Sequence, residues 1–432
     1  MTKWRNWTGD EGCTPASVET PASVDEVVAA VRRSAEASRS VRVVGAGHSF
    51  SDLVSTDGTL MSLDRLTGLL DVDVDAGLVR VAAGTRLREL NRLLDEHGLA
   101  LANLGDIDTQ SVAGAVSTGT HGTGRLLGNL ATQVVSLELV SADGRVQELG
   151  PEDADLLAAA RIGLGALGVV TAYTLRVVPA FRLRGVDKAA PLGGVLEGLD
   201  ELVDGNDHFE FFWFPHTHVA LTRTNNRTDE PAAPPHRISE FVKGTVVENG
   251  ALDLVSRLGR RYPRLIPQLN RGVARAFPSS TRVDTSHRVF ASPRSVRFTE
   301  SEWAVPREAC RPMLAELRAA LERSDHAVNF PIEVRFVAGD TDSLLSPAYG
   351  RETAYIAVHA YRGMAWQGLF ATVQQIASAY GGRPHWGKRH GLDGSQLSGL
   401  YPEWERFLAA RSKLDPDGVF ANAHTRRLFE VR

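Results

Sequence analysis

The run Val41-Arg-Val-Val44-Gly45-Ala46-Gly47-His48-Ser49-Phe50 constrains the fold most, because an apolar, mostly β-branched segment stops at two glycines and a histidine. It reads as a buried strand, and Gly45 and Gly47 let the backbone turn where a side chain would clash. Such a turn exposes consecutive N–H groups that can hold a phosphate. It is half of the dinucleotide fingerprint G-x-G-x-x-G, but Phe50 stands where the third glycine belongs and Ser51 to Gly58 does not open a helix. That fingerprint reading fails. A phosphate cradle and a plain strand-to-loop turn both remain open.

A chain of 432 residues can bury a large core and has two domains as its prior, and 43% hydrophobic with 23% charged residues belongs to an ordinary soluble globular protein. Its net charge of −4 argues against nucleic acid as the main partner. Cys13 and Cys310 are the only cysteines and have no paired spacing, which excludes a disulfide scaffold and a thiolate metal cluster and suits a reducing cytoplasm. No metal site is expected. Met1 to Trp7 lacks the apolar core of a signal peptide, and no run of about 18 apolar residues occurs, so no integral membrane segment is expected.

Ser23 and Glu26 form a capping-box signature, and Val24, Val27, Val28 and Val31 follow at helical spacing, so the opening is β-α-β in style. Gly77 to Gly84 encloses a strand, and Leu87, Leu90, Leu93 and Leu94 predict a helix that Gly98 ends. Next comes Ser111-Val-Ala-Gly114-Ala-Val-Ser117-Thr118-Gly119-Thr120-His121-Gly122-Thr-Gly124, with four glycines and five hydroxyl residues in fourteen positions. It makes a poor helix and a poor strand, and reads either as a wall of backbone donors and small side chains or as a mobile surface loop. Val134 to Leu149 predicts a hairpin turning at Asp143-Gly144, and Gly168 to Val178 a strand ended by Pro179. Phe209 to Phe214 and Val219 to Arg223 could pair, whereas Asn225 to Arg237 is expected to be an exposed loop. Arg257, Arg260, Arg261, Arg264, Arg271 and Arg275 predict a solvated helical face in preference to one that touches a membrane or partner.

Two late clusters carry polar chemistry. On a strand through Phe330-Pro-Ile-Glu333-Val-Arg335-Phe-Val, Glu333 and Arg335 share one face, as a structural ion pair or as a substrate clamp. His359 lies on the predicted strand Tyr355 to Tyr361, ahead of Gly381-Gly-Arg-Pro-His385-Trp-Gly-Lys388. Taken singly, a strand histidine reads as core and a lone lysine as solvated.

In this order the pieces resemble the vanillyl-alcohol oxidase family of flavoproteins, specifically its aldonolactone oxidase branch, from about Val18 to Phe429. The resemblance is densest in Gly45-Ala-Gly-His48-Ser49, Asn103-Leu-Gly105, Ser117 to Gly124, Pro331-Ile-Glu333-Val-Arg335-Phe, Leu345-Ser-Pro347 and His385-Trp-Gly-Lys388. Ordered motifs over almost the whole chain are far more specific than any one of them. The resemblance implies an α+β fold with a PCMH-type FAD-binding domain of two subdomains at 1–178, on which 395–432 returns to pack. A substrate (cap) domain at 179–394, built on an antiparallel sheet with flanking helices, would cover the isoalloxazine ring. Val44, Gly45, Ala46, Gly47, His48 and Ser49 would then hold the FAD pyrophosphate. The wall of Ser111, Gly114, Ser117, Thr118, Gly119, Thr120 and His121 would flank the flavin, and Gly105, Asp106, Val169 and His385 complete the expected cofactor-binding set.

In this branch the motif's histidine, here His48, is bonded covalently to the flavin 8α-methyl carbon, which fixes the ring and makes the flavin a stronger oxidant. Glu333 and Arg335 match the family's active-site pair. Lys388 matches the lysine near the flavin N1–C2 edge, where a cation stabilises the reduced flavin. His359 matches a histidine of the related alditol oxidases. The implied activity is FAD-dependent oxidation of the C2 hydroxyl of an aldono-1,4-lactone (L-gulono-, L-galactono- or D-arabinono-), with hydride transfer to flavin N5. The product would be a 2-keto lactone that enolises to ascorbate or an analogue. Gly105, by resemblance near flavin C4a, would leave a passage for oxygen, so hydrogen peroxide is the expected second product. Alternatives are an alditol oxidase acting at C1 of xylitol or sorbitol, which His359 supports, and a dehydrogenase using another acceptor. A flavin-binding sensor without activity is disfavoured by the presence of Glu333, Arg335 and Lys388. Expected partners are therefore a sugar lactone or polyol and O2 or another electron acceptor, in the cytoplasm.

Overall fold

Ser23 caps the helix Val24–Glu36 by accepting the Glu26 N–H, and the helix buries Val27, Ala30 and Val31 along one stripe. This helix connects Ser17–Glu19 to Val41–Val44, and both strands pair in parallel with Thr59–Ser62 between them. The computed structural model describes residues 3–233, 249–276, 279–292 and 296–430.

A second sheet has five antiparallel strands in the order Val146–Leu149, Val134–Val140, Val169–Arg176, Leu78–Ala82 and Leu69–Asp73. Its hairpin turns where Gly144 takes φ +75°, as Asp143-Gly144 predicts. The expected end at Pro179 needs correction. The strand stops at Arg176, and Val178–Pro179 instead pairs with Leu99–Ala100 as a two-stranded edge, where a missing N–H is tolerated. The helix Leu87–Glu96 buries Leu87, Leu90 and Leu94, and Gly98 follows at φ +69°.

The glycine-rich stretch also departs from expectation. Val112–Ser117 is a helix, capped by Ser111 Oγ, which accepts the Gly114 N–H at 3.2 Å. Val112, Ala115 and Val116 are buried at helical spacing, and that burial outweighs the poor propensity of glycine and serine.

The third sheet has eight antiparallel strands, ordered Ser280–Thr285, Arg182–Pro191, Val219–Thr228, His208–Trp213, Ile332–Val337, Thr353–Tyr361, Phe298–Pro306 and Arg383–Pro384. Here the expected loop from Asn225 starts too early, because pairing to Arg182–Pro191 runs through Thr228. The ladder to Arg182–Pro191 holds this polar tip through Thr228, and Asn225, itself buried, also pairs with His208 on the other side. Residues 229–233 are exposed, and 234–237 lie outside the described residues. The arginines from Arg257 to Arg275 stand exposed on Asn249–Arg261, Ile266–Ala276 and the turn between them.

The chain's end returns to its beginning. Val41 N–H donates to Val419 O at 2.8 Å, and the buried Arg42 guanidinium donates to Phe420 O at 2.6 Å and to Leu164 O at 2.8 Å. Asn422 Nδ2 reaches Leu53 O at 3.0 Å. No helix among the described residues is long and apolar enough to cross a membrane.

Candidate active site

The turn after Val41–Val44 and the helix behind Ser111 are in contact, because a Cβ on Gly45 would overlap Ser111 Oγ. Gly47 takes φ +67°, a conformation that favours glycine. A cleft lined by Val44 to Ser49, Ser111, Gly114, Ser117 and Thr118 passes between them. Trp4, Arg42, Leu164 and Gly165, outside the expected set, are among the other residues of its walls. At His48, Ser49, Gln110 and Thr118 it joins a second cleft lined by Gly105, Asp106, Thr120, His121, Glu333, Arg335, His359, His385 and Lys388. Of the expected cofactor-binding residues, Gly119 and Val169 line neither cleft. Gly119 faces Ile162 and Pro347, and Val169 is buried in the five-stranded sheet.

His48 stands where the clefts meet. Its Nε2 lies 2.8 Å from Thr109 Oγ1, its ring stacks on Trp7 at 5.0 Å, and its buried Nδ1 has no hydrogen-bond partner. Burial, then the nearby Lys388, lowers its pKa to about 4, so the ring is neutral at pH 7. A glycine cradle that added side chains would fill, ending at an unsatisfied neutral nitrogen, fits FAD.

Glu333 and Arg335 share the cleft face of Ile332–Val337, with Arg335 Nε 2.5 Å from Glu333 Oε1 and 2.7 Å from Glu210 Oε2. Arg335 Nη2 lies 3.6 Å from Asp106 Oδ1. Burial opposes the arginine's charge, but Glu333, Glu210 and Asp106 outweigh it and hold the guanidinium above its ordinary pKa. Glu210 went unnoticed in the sequence, although it is the one charge in Phe209-Glu-Phe-Phe-Trp-Phe214 and stands directly opposite Arg335 across the ladder.

Lys388 Nζ lies 2.6 Å from Glu300 Oε2 and 3.7 Å from Glu302 Oε2. Burial opposes its charge too, and both carboxylates offset that and keep its pKa above the ordinary value. Sequence reasoning missed Glu300 and Glu302. The available signal was two acids two apart on an otherwise buried strand, the same spacing that exposed Glu333 and Arg335.

His121, Glu302 and His385 bring ligand-type atoms within 4.8 Å of one another. His385 Nδ1 accepts the Gly387 N–H at 3.0 Å, and burial lowers that ring's pKa to about 3. The neutral ring therefore carries its hydrogen on Nε2, which leaves no nitrogen lone pair for a cation, and Lys388 already supplies a positive charge beside Glu302. Gly105 lines the second cleft, and a Cβ there would lie 3.1 Å from His121 O and 3.7 Å from Thr120 Cγ2.

The family model for D-arabinono-1,4-lactone oxidase matches residues 173–428, and that for an FAD-binding domain matches residues 15–150. This chain belongs to the D-arabinono-1,4-lactone oxidase family. It is an FAD-dependent sugar-lactone oxidoreductase with a PCMH-type FAD-binding domain in an α+β fold. Within the lactone oxidase family, it is 48% identical to an L-gulono-1,4-lactone dehydrogenase of Mycobacterium tuberculosis, over 98% of each chain. It is 35% identical to an L-gulonolactone oxidase of Mus musculus, over 99% of this chain and 98% of that one. A cholesterol oxidase mutant from Brevibacterium sterolicum shares the fold, with a TM-score of 0.83 at 17% identity over 99% of this chain and 96% of that chain.

Proposed function

We propose that this enzyme oxidises the C2 hydroxyl of an aldono-1,4-lactone (L-gulono-, L-galactono- or D-arabinono-), with FAD bonded covalently to His48 and oxygen as electron acceptor. The observation that carries the reading is one cleft with two charged walls, Arg335–Glu333 and Lys388, that opens at His48 into a glycine cradle. In this reading residues 1–178 and 395–432 hold the cofactor and 179–394 cover it. Val44 to Ser49 present N–H groups to the pyrophosphate, and Ser111 to His121 with Asp106 and His385 flank the rings. Bound FAD supplies the hydride acceptor. Arg335 donates hydrogen bonds to the lactone carbonyl or a hydroxyl, and Glu333 orients the reacting hydroxyl. Lys388, held positive, stabilises the negative charge that arrives with the hydride. Phe212, Phe298 and Phe330 line the same cleft and give it an apolar side. The product is a 2-keto lactone that enolises to ascorbate or an analogue, formed in the cytoplasm.

A screen of aldonolactones against xylitol and sorbitol, with oxygen and an artificial acceptor in parallel, tests this. Turnover of lactones with peroxide formation is expected. Preference for the polyols would favour an alditol oxidase, the reading that His359 supports. Turnover only with the artificial acceptor would favour a dehydrogenase, the name carried by the relative that is 48% identical.

A further inference from the structure

Glu300 and Glu302 are buried to the same degree, 5% exposed each, and stand on one face of Phe298–Pro306 toward the cleft. Each directs Oε2 to Lys388 and Oε1 to a histidine. Glu302 Oε1 lies 3.2 Å from His121 Nε2, and Glu300 Oε1 lies 3.6 Å from His359 Nε2. The side chains therefore run His121–Glu302–Lys388–Glu300–His359 along the wall of the cleft.

Each histidine also faces a main-chain carbonyl: His121 Nδ1 lies 2.8 Å from Gly122 O and His359 Nδ1 3.2 Å from Pro331 O. A carbonyl only accepts, so both rings carry hydrogen on Nδ1, and a neutral ring would turn its Nε2 lone pair toward a carboxylate. At 3.2 Å that contact is repulsive unless a hydrogen lies in it. With neutral histidines the line would also hold two buried negative charges against one positive. One additional proton removes both faults, and the shorter contact places it between His121 and Glu302.

We propose that Glu302 holds His121 as an imidazolium and that Glu300 sets His359 to receive the hydroxyl proton during oxidation. Both acids act as positioning residues. The role of Glu300 rests on lactone oxidation in this cleft. In that step the alcohol O–H bond breaks and an N–H bond forms at His359 Nε2. The hydrogen on carbon leaves with its electron pair to FAD, and the C–O bond becomes C=O. The new imidazolium then donates to Glu300 Oε1, while the other oxygen of that carboxylate faces Lys388. Burial alone would raise the Glu302 carboxyl, but His121 and Lys388 hold it well below the usual range, so the shared proton sits on the ring. The other groups facing His121 are His385, at 5.6 Å between ring centres, and Tyr355, stacked at 3.6 Å.

Nuclear magnetic resonance on the FAD-loaded protein with 15N-labelled histidine tests the resting proton without turnover, with the His121 signal assigned by its loss in His121→Gln. In the assay buffer, hydrogen on both His121 nitrogens is expected, and on one nitrogen in Glu302→Gln. A singly protonated His121 in the unsubstituted protein, or one unaffected by Glu302→Gln, overturns the assignment. For Glu300→Gln, kcat should fall about 10²-fold with KM little changed and with a shifted pH–rate profile. FAD content and melting temperature should be retained. Unchanged kcat in Glu300→Gln overturns its role. If the unsubstituted enzyme oxidises no lactone, the proposed function and the role of Glu300 fall together, while the resonance result still judges the His121–Glu302 proton.

Discussion

His48 is held neutral by burial and by the nearby Lys388, Arg86 and Arg88, against Asp106, and its Nδ1 has no hydrogen-bond partner where the two clefts join. When Nε2–H donates to Thr109 Oγ1, Nδ1 keeps its lone pair for the flavin carbon. Acid precipitation of the FAD-loaded protein should therefore carry yellow flavin into the pellet. His48→Ala should leave the flavin in the supernatant, while the intact cradle still binds FAD more weakly. Yellow supernatant from the unsubstituted protein would refute the covalent link. At the far wall, Glu333→Gln keeps size and one acceptor but loses the charge facing Arg335. The variant should stay folded and yellow and lose about 10²-fold in turnover. A variant that is unstable yet fully active per bound flavin would restore the purely structural ion-pair reading. Gly105→Ala would press on His121 O, 3.1 Å from the new carbon, and narrow the cleft beside Asp106. Reoxidation of substrate-reduced enzyme by oxygen, followed by stopped flow, should slow in that variant. An unchanged fast oxygen reaction would show that Gly105 is no gate. Residues with unusual local chemistry were legible singly: a histidine after glycines, and an acid and an arginine on one strand face. Glu210, Glu300 and Glu302 were not, since their partners lie far away in the chain, Arg335 on another strand and Lys388 and His121 in turns and loops.

Among elements, the cradle depends on the contact between the turn after Val41–Val44 and the cap of Val112–Ser117. Gly45→Ala would drive a methyl group into Ser111 Oγ, the atom that accepts the Gly114 N–H. Purified Gly45→Ala should contain less FAD by absorbance and melt lower. Adding Ser111→Ala removes the clashing oxygen and should restore FAD content in part, and no recovery would place the damage elsewhere. The same helix shows why the glycine-rich stretch departs from its local pattern. Intrinsic propensity costs about 1 kcal/mol even for glycine, less than the burial of one large apolar side chain supplies. Val112, Ala115 and Val116 supply that burial, and their partners cannot be seen locally. The strand tip beyond Asn225 departs from expectation for a related reason, because the ladder to Arg182–Pro191 holds its polar sequence through Thr228.

Across the whole molecule, burial holds several histidines neutral. His48 has a pKa of about 4, and His385 and His390 of about 3, each lowered first by desolvation. Unfolded, these rings take up protons near pH 6.5, so the unfolded chain binds more protons below that value. Their contribution to stability is therefore complete above the unfolded pKa and is lost as pH falls toward their folded values. The melting temperature should drop steadily between about pH 7 and pH 5, before most carboxylates titrate. A flat profile over that interval would contradict the burial argument. The sequence by itself determined the chemistry of the turn at His48, the shared face of Glu333 and Arg335, the period of most helices and strands, and, by resemblance, the family. Those signals depend on neighbours in the chain or on one element's periodicity. Only the tertiary structure decided that two clefts meet at His48, that Glu210 lies beside Arg335, and that Glu300 and Glu302 bracket Lys388. The last two are meetings of residues between about 85 and 125 positions apart, brought together by strand order in the eight-stranded sheet and its packing. Ladder order is set by burial summed over the whole core, which no local pattern in the chain encodes.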